Sequence, residues 1–379
     1  MSDDRLPEAD RASGAPHPRE TSALLGQQTA EAAFLEAFNS NRLHHGWLVT
    51  GPRGVGKATL AWRIARFLLA QPLAEEGEMF GAPPAPDTLD VAADHPVTRR
   101  TLALSEPRLF LLRRAYDAKK DRISQDITVE EARKLKNFFA MSAADGGRRV
   151  VIVDAADELN TSAANALLKL LEEPPENAFL LLISHQPSRL LPTIRSRCRE
   201  LRCAPLGPDD MSAALQQAGV DSEDLSPGLS ELAAGSAGEA LRLVNLGGMG
   251  VYHEILTLFS ELPRVDRPRA LKLAESCVGR TNEARFELVL GLMDLFLSRL
   301  ARSGAGLPPA TEAMSGEATL MARLAPGTLA ARRWAELQQD LGARARHGKA
   351  VNLDPAALIL DMVLKINETA ATLAAQGEP

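Results

Sequence analysis

The chain has 379 residues, of which 45% are hydrophobic and 24% are charged, and its formal net charge is −6. One domain usually takes ~100–200 residues, so the length excludes a single small domain and predicts two or three. The negative charge argues against a protein whose whole surface binds nucleic acid, and it leaves a local basic face open. The longest apolar run, Leu288 to Leu297, is interrupted by Asp294 and falls far short of the ~20 residues of a membrane span.

The cysteines argue against two further classes of protein. Cys198, Cys203 and Cys277 are too few and wrongly spaced for a four-ligand zinc site or a disulfide framework. We therefore expect buried free thiols in a cytoplasmic protein, and no zinc.

The amino-terminal part of the sequence alternates between irregular and regular segments. Residues 1–20 are rich in charge, Pro, Ser and Ala without periodicity, which predicts disorder. A helix is predicted over about 23–39, a short apolar strand over 47–50 and a helix over 58–70. The Pro-, Gly- and acid-rich stretch 72–100 predicts an irregular excursion.

Four further strands are predicted, at 109–112, 150–154, 179–184 and 199–203. A capping box of Thr128 and Glu131 opens a helix that runs to about Met141, and Asn160 caps a helix over 161–172. Five strands separated by helical segments predict an α/β fold with a doubly wound parallel sheet, whose ligand site lies at the carboxyl ends of the strands.

No strand pattern returns after Pro205. Two or three short helices are predicted within 208–248. Longer amphipathic helices follow at about 251–262, 267–279, 283–303, 327–347 and 354–374, and Asp354 with Pro355 marks the start of the last one. These segments predict a helical bundle.

A glycine-rich loop over residues 51–57 joins the first strand to its helix. The spacing Gly51, Gly54, Gly56, Lys57 is that of a phosphate-binding loop, in which backbone N–H groups hold phosphates and the lysine reaches the outer ones. The next position normally carries the hydroxyl that holds magnesium, and here it is Ala58. Thr59 cannot replace it, because one residue along a helix turns the side chain by ~100°.

Hydrolysis needs further groups around the terminal phosphate. Asp154 is positioned to hold magnesium, but the general base expected directly after it is Ala155, and Asp157 points elsewhere. Ser184 is either a polar sensor of phosphate or a residue of the turn after its strand. Losing a positioned base typically costs ~10²–10⁴ in rate, so we expect negligible hydrolysis. Weak, passive ATP or ADP binding stays open.

The sequence resembles the bacterial clamp-loader AAA+ subunits, and within them the delta-prime family of DNA polymerase III. The resemblance lies in residues 51–57, the strand 150–157, the helix ending in Leu-Leu-Glu-Glu-Pro-Pro at 170–175, and Ser196-Arg197-Cys198. Considered alone, Arg197 is more typical of a surface or ion-pair residue. The resemblance implies instead that it is an arginine finger acting in trans on a neighbouring subunit's ATP.

The resemblance also implies a domain organisation and partners. It implies an AAA+ core over 21–206, a helical lid over 207–248 and a collar over 249–379. The collar would assemble a heteropentamer with delta and gamma or tau subunits that acts on the sliding clamp and primed DNA. An arginine that reads the nucleotide in motor subunits is replaced here by Gly238.

Three functions remain open from the sequence. The first is a non-hydrolysing clamp-loader subunit that lends Arg197 and whose nucleotide site consists of Gly51, Gly54, Gly56, Lys57, Thr59, Asp154 and Ser184. The second is an active AAA+ motor of gamma or tau type. The third is a nucleotide-sensing adaptor outside replication.

Overall fold

The computed structural model describes residues 7–12, 14–21, 23–72, 85–141, 147–221 and 225–377. The chain forms two compact units, one of Met1–Val220 with Gly235–Glu239 and one of Asp221–Ala234 with Ala240–Pro379. None of the helices in the described ranges combines the length and the apolar character that a membrane crossing requires.

The first unit is built on a parallel sheet. In chain order the strands are β1 (Gly46–Thr50), β2 (Leu109–Arg113), β3 (Tyr116–Asp117), β4 (Arg122–Ile123), β5 (Arg149–Asp154), β6 (Ala178–Ile183) and β7 (Arg199–Arg202). Five of them form one sheet in the order β2-β5-β6-β1-β7, with every neighbouring pair parallel. The predicted five-stranded parallel sheet is confirmed. The antiparallel pair β3 and β4 was not predicted, because two-residue strands carry no periodicity.

Seven helices of the described residues lie wholly in the first unit. They are α1 (Gln28–Asn39), α2 (Lys57–Ala70), α3 (Pro96–Leu102), α4 (Val129–Met141), α5 (Thr161–Glu172), α6 (Pro192–Arg195) and α7 (Pro208–Gln217). Helix α1 begins later than predicted, because the chain turns at Gly26, whose φ is +70°. Helix α3 lies in the stretch predicted to be irregular. Pro96 opens it, and the His95 side chain accepts a hydrogen bond from the N–H of Val97 at 3.2 Å.

Both faces of the sheet are covered by helices. Val150 and Ile152 pack in one core with residues of α1 and α2, and Val151 and Val153 pack in the other with residues of α4 and α5. Alternate residues of a strand point to opposite faces, so a central strand buried on both sides is a continuous apolar run. This explains the sequence of β5.

The predicted helix caps are present in the structure. The Asn160 side chain accepts a hydrogen bond from the N–H of Ala163 at 2.9 Å, and Asp354 accepts one from Ala357 at 3.1 Å. Thr128 Oγ1 accepts a longer one from Glu131, at 3.5 Å. Each cap satisfies a backbone donor that the first helical turn leaves without a partner.

The expected disorder of residues 1–20 is corrected for the described part of that segment. Residues 7–12 and 14–20 form turns, and His17 is fully buried. The charges typical of a solvated tail are paired with each other instead, with Arg19 Nη1 2.7 Å from Glu8 Oε1 and His17 Nε2 3.0 Å from Asp10 Oδ2.

The second unit is helical. Its helices are α8 (Pro227–Ala233), α9 (Ala237–Asn245), α10 (Gly248–Phe259), α11 (Arg267–Glu275), α12 (Glu283–Gly304), α13 (Glu317–Leu324), α14 (Thr328–Ala350) and α15 (Pro355–Gly377), and the first residues of α9 belong to the first unit. Helix α12 packs along α14, and α11 packs along α15. Helix α13 was not predicted, because it is short and the residue before it, Gly316, has no side chain to cap it.

The two compact units divide the chain differently from the predicted lid and collar. Helix α7 belongs to the first unit and α8 to the second, although both fall within the predicted lid. The lid and the collar, as functional domains, stay predictions.

Candidate functional site

The glycine loop joins β1 to α2, as predicted. Gly51, Gly54 and Gly56 have φ values of +136°, +78° and +99°, a region that favours glycine because it has no Cβ. Helix α2 begins at Lys57 directly after Gly56. Backbone N–H groups of such a loop and of the first helical turn form a cradle for phosphate.

Lys57 is turned back onto its own loop. Its Nζ donates hydrogen bonds to the carbonyl oxygens of Gly51, at 2.8 Å, and of Pro52. The side chain is buried, and burial lowers the pKa of Lys57 to about 8. A phosphate group would have to compete with these two carbonyl groups for the ammonium group.

A short segment of the first unit, Gly235–Glu239, lies against the loop. Ser236 Oγ donates to the carbonyl of Arg53 at 2.8 Å, and the N–H of Gly238 donates to the carbonyl of Gly54 at 3.1 Å. A Cβ placed on Gly238 would lie 2.8 Å from the Cα of Gly54. The contact leaves no room for a side chain at position 238.

Gln27 supports the loop, and sequence reasoning missed it. Its Nε2 donates to the carbonyls of Val55 at 3.0 Å and Ala204 at 2.8 Å, and its Oε1 accepts from the N–H of Ala204 at 3.0 Å. The buried amide therefore ties the phosphate loop to the segment after β7. The signal in the sequence is only a glutamine next to a glycine ahead of a helix.

Asp154 and Ser184 lie at the same edge of the sheet as the loop. Asp154 ends β5 and pairs in register with Ile183, the last residue of β6. Burial raises the pKa of Asp154 to about 7, and the charges of Asp10 and Glu158 add to this rise. Ser184 is fully buried, and its Oγ has no hydrogen-bond partner in the part of the chain that the structure describes.

The residues just after Asp154 are buried or hydrogen-bonded to the segment after β6. Ala155 is buried at the position of the missing base, and Asp157 Oδ1 accepts a hydrogen bond from the N–H of His185 at 2.9 Å. Burial and the nearby charges of Lys57 and Arg53 lower the pKa of His185 to about 4. This histidine is therefore neutral at pH 7.

The residues fit a phosphate group better than they fit magnesium. Ala58 has no hydroxyl to offer a cation, and Thr59 is buried in α2. Among the described residues, no group of three or more His, Cys, Asp or Glu side chains is arranged to hold a metal ion. The structure brings the predicted residues to one edge, and their roles in nucleotide binding stay predictions.

Arg197 lies away from the phosphate loop and from Asp154 and Ser184. Its carbonyl oxygen lies 3.1 Å from a Cβ built on Gly46, the first residue of β1, whereas the loop follows the last residue of β1. Its guanidinium group is partly exposed, lies 2.9 Å from Glu172 and donates to the Thr193 carbonyl at 3.0 Å. Arg197 thus lies at the opposite edge of the sheet from its own phosphate loop.

The sheet order, the loop after β1 and the acid at the end of β5 define an α/β module of the P-loop class. Residues 26–207 match the family described as "DNA polymerase III, delta subunit". This match covers slightly less than half of the chain, and it shows that this part is similar to subunits of DNA polymerase III.

The individual relatives are also subunits of DNA polymerase III. The delta-prime subunit of DNA polymerase III from Pseudomonas aeruginosa is 37% identical over 207 residues, which cover 55% of this chain and 57% of that protein. The gamma/tau subunit from Mycobacterium tuberculosis is 30% identical over 222 residues, covering 55% of this chain and 33% of that protein. The chain therefore matches little more than half the length of the first of these relatives and a third of the second.

One solved structure aligns over most of the chain. A gamma subunit-related protein from Thermotoga maritima covers 89% of this chain and 99% of its own, with 17% sequence identity and a TM-score of 0.41.

Proposed function

We propose that the chain is a non-hydrolysing delta-prime subunit of a bacterial clamp loader and works in the cytoplasm. In this role it forms a heteropentamer with delta and gamma or tau subunits, supports the loading of the sliding clamp onto primed DNA and belongs to the DNA polymerase III holoenzyme. It supplies Arg197 in trans to the ATP of a neighbouring subunit. Its own loop holds, at most, a passive nucleotide.

The position of Arg197 is the observation that carries this proposal. Strands β1 and β7 are parallel, Arg197 precedes β7, and the phosphate loop follows β1. A strand of five residues at ~3.3 Å per residue separates the two edges by ~15 Å. A guanidinium group so placed cannot reach phosphates on its own loop, and its partial exposure leaves it accessible to those of a second subunit once it exchanges its contact with Glu172.

Reconstitution with partner subunits tests the role of Arg197. We expect Arg197→Ala to leave complex assembly intact and to slow turnover at the neighbouring ATP site by ~10³ or more, because it removes a cation that stabilises the transition state. The measurement is single-turnover, DNA-stimulated ATPase together with clamp loading.

Arg195→Ala is the matched control. Arg195 is exposed in the same turn, so its loss changes the surface charge equally and should leave the rate unchanged. An Arg197→Ala complex that hydrolyses ATP at the native rate would exclude the finger.

The alternative is an active motor, and the retained loop geometry favours it. The three glycines and Lys57 are those of a working phosphate loop, and gamma/tau subunits are among the relatives. Ala58 and Ala155 oppose it, since a missing base alone costs ~10²–10⁴ in rate. We expect no ATP turnover above background by the purified chain, and turnover at the rate of a gamma subunit assayed beside it would establish the motor.

A further inference from the structure

The guanidinium group of Arg197 is held by two contacts within the first unit. Its Nη2 lies 2.9 Å from Oε1 of Glu172, the last residue of α5. Its Nη1 donates a hydrogen bond to the carbonyl oxygen of Thr193 at 3.0 Å. Both terminal nitrogens of the group are therefore engaged by the chain that carries it, on the side of the sheet away from its own phosphate loop.

Helix stability does not explain an acid at position 172. The carboxyl end of a helix carries a partial negative charge, which disfavours carboxylates and favours cations. Glu172 is nevertheless the last residue of α5, and Glu173 follows it directly. The guanidinium group of Arg197 offsets the unfavourable charge of Glu172, so the partner accounts for the acid and the helix does not.

Two further contacts fix the end of α5 beside the turn that carries Arg197. His45 Nε2 lies 2.9 Å from the carbonyl oxygen of Leu171. A carbonyl oxygen only accepts hydrogen bonds, so the ring nitrogen donates, and it satisfies a group that the last helical turn leaves without a partner. A Cβ built on Gly46 would lie 2.9 Å from Leu171 Cδ2 and 3.1 Å from the carbonyl oxygen of Arg197. The glycine lets the helix end and the turn approach each other, which brings Glu172 within reach of Arg197.

The contact between Glu172 and Arg197 is weak enough to be exchanged. Of the two side chains, 42% of Glu172 and 37% of Arg197 are exposed. Exposed ion pairs typically change an equilibrium by no more than ~5-fold. A terminal phosphate carries up to about two negative charges and binds arginine through two parallel hydrogen bonds. It therefore attracts the guanidinium group more strongly than one carboxylate does.

We propose that Glu172 is a latch, which holds Arg197 on its own subunit and delays its engagement with the ATP of the neighbouring subunit. The proposal rests on the proposed function of Arg197 as a finger in trans, and it adds the regulation of that finger. Glu172 is a positioning residue, because it acts only through Arg197. The turnover at the neighbouring site is then proportional to the fraction of complexes in which the arginine is released.

The Glu172→Gln variant in the reconstituted complex tests the latch. Glutamine keeps the length of the side chain and removes its charge. We expect single-turnover hydrolysis at saturating ATP to become ~2–5-fold faster, because a larger fraction of Arg197 is released. The ATP concentration that gives half the maximal rate should stay at the native value, since the finger stabilises the transition state. A substitution that only loosened the helix end would not accelerate hydrolysis.

Two comparisons complete the experiment. Glu176→Gln is the matched control, because it removes the same charge from an exposed acid four residues later, and it should leave the rate unchanged. The double variant Glu172→Gln with Arg197→Ala removes both the latch and the group it holds. Without the arginine the latch has no effect, so the double variant should hydrolyse ATP at the rate of Arg197→Ala alone.

Three results would overturn the latch: native or slower turnover by Glu172→Gln, an acceleration that persists without Arg197, or an equal acceleration by Glu176→Gln. If Arg197→Ala slows turnover in the same experiment, the finger stands and only the latch fails. If Arg197→Ala leaves turnover at the native rate, the proposed function itself fails, and the two failures are thereby distinguished.

Discussion

At the scale of single residues, the site is defined as much by absent side chains as by present ones. Ala58 and Ala155 occupy positions where the sequence pattern predicts a magnesium ligand and a base, and both are visible in the sequence. Gly238 is different, because its backbone lies against Gly54 and donates a hydrogen bond to it. The glycine at position 238 is therefore part of a packed contact, and a side chain there would disturb the loop.

Gly238→Ala tests this contact. The new Cβ would lie 2.8 Å from the Cα of Gly54, and overpacking of this kind typically costs ~1–3 kcal/mol. We expect a lower free energy of unfolding by that amount in urea denaturation.

Gly291→Ala is the matched control. Gly291 is exposed within α12, and nothing lies within 4 Å of a Cβ built on it. Alanine there should stabilise the chain by ~0.5–1 kcal/mol, since glycine loses more backbone entropy in a helix. A shift of the same sign and size at both positions would argue against the steric interpretation.

At the scale of elements, a buried ion pair connects helices of the second unit. Arg299 on α12 binds Glu317 on α13 through Nε at 2.8 Å and Nη2 at 2.9 Å, and its Nη1 binds Glu231 on α8 at 2.8 Å. Tyr252 on α10 donates its hydroxyl hydrogen to Glu317. Four helices therefore meet at one set of charges, which periodicity cannot reveal because each partner lies on a separate segment.

Arg299→Met should be strongly destabilising. It leaves Glu317 buried without its cation, and breaking a buried pair in this way costs ~3–5 kcal/mol. Thermal and urea unfolding measure the loss. Arg302→Met, at an exposed position of the same helix, should change stability by less than ~0.5 kcal/mol.

A double variant separates charge from packing. Arg299→Met with Glu317→Met replaces the pair by apolar side chains, and such replacements are often close to neutral. We expect it to regain most of the lost stability. A double variant as unstable as Arg299→Met alone would indicate that packing, rather than the uncompensated charge, sets the cost.

At the scale of the whole molecule, the three thiols report on the integrity of both units. Cys203 and Cys277 are buried and Cys198 is partly buried. Burial raises the pKa of Cys198 to about 12 and that of Cys203 to about 11, and it also raises the pKa of Cys277. The thiolate is the reactive form, so all three should be inert in the folded chain.

Reaction with a chromogenic disulfide at pH 8 checks this expectation. The native chain should release almost no chromophore over minutes, because a pKa of about 11 leaves ~10⁻³ of a thiol ionised at pH 8. After unfolding in guanidinium chloride, three equivalents should react at once. One rapidly reacting thiol in the native chain would place that cysteine at the surface.

The sequence by itself determined the sheet, the glycine loop and the presence of alanine at positions 58 and 155, because these depend on local patterns: apolar runs, glycine spacing and helix caps. Only the tertiary structure decided the pairing of Lys57 with its own loop, the support from Gln27 and the contact at Gly238. The Gln27 and Gly238 contacts join segments far apart in the chain. The Lys57 pairing lies within one loop and depends on how that loop folds. For Arg197 both were needed. The motif Ser196-Arg197-Cys198 is visible in the sequence, and only the tertiary structure places Arg197 at the opposite edge of the sheet from the loop.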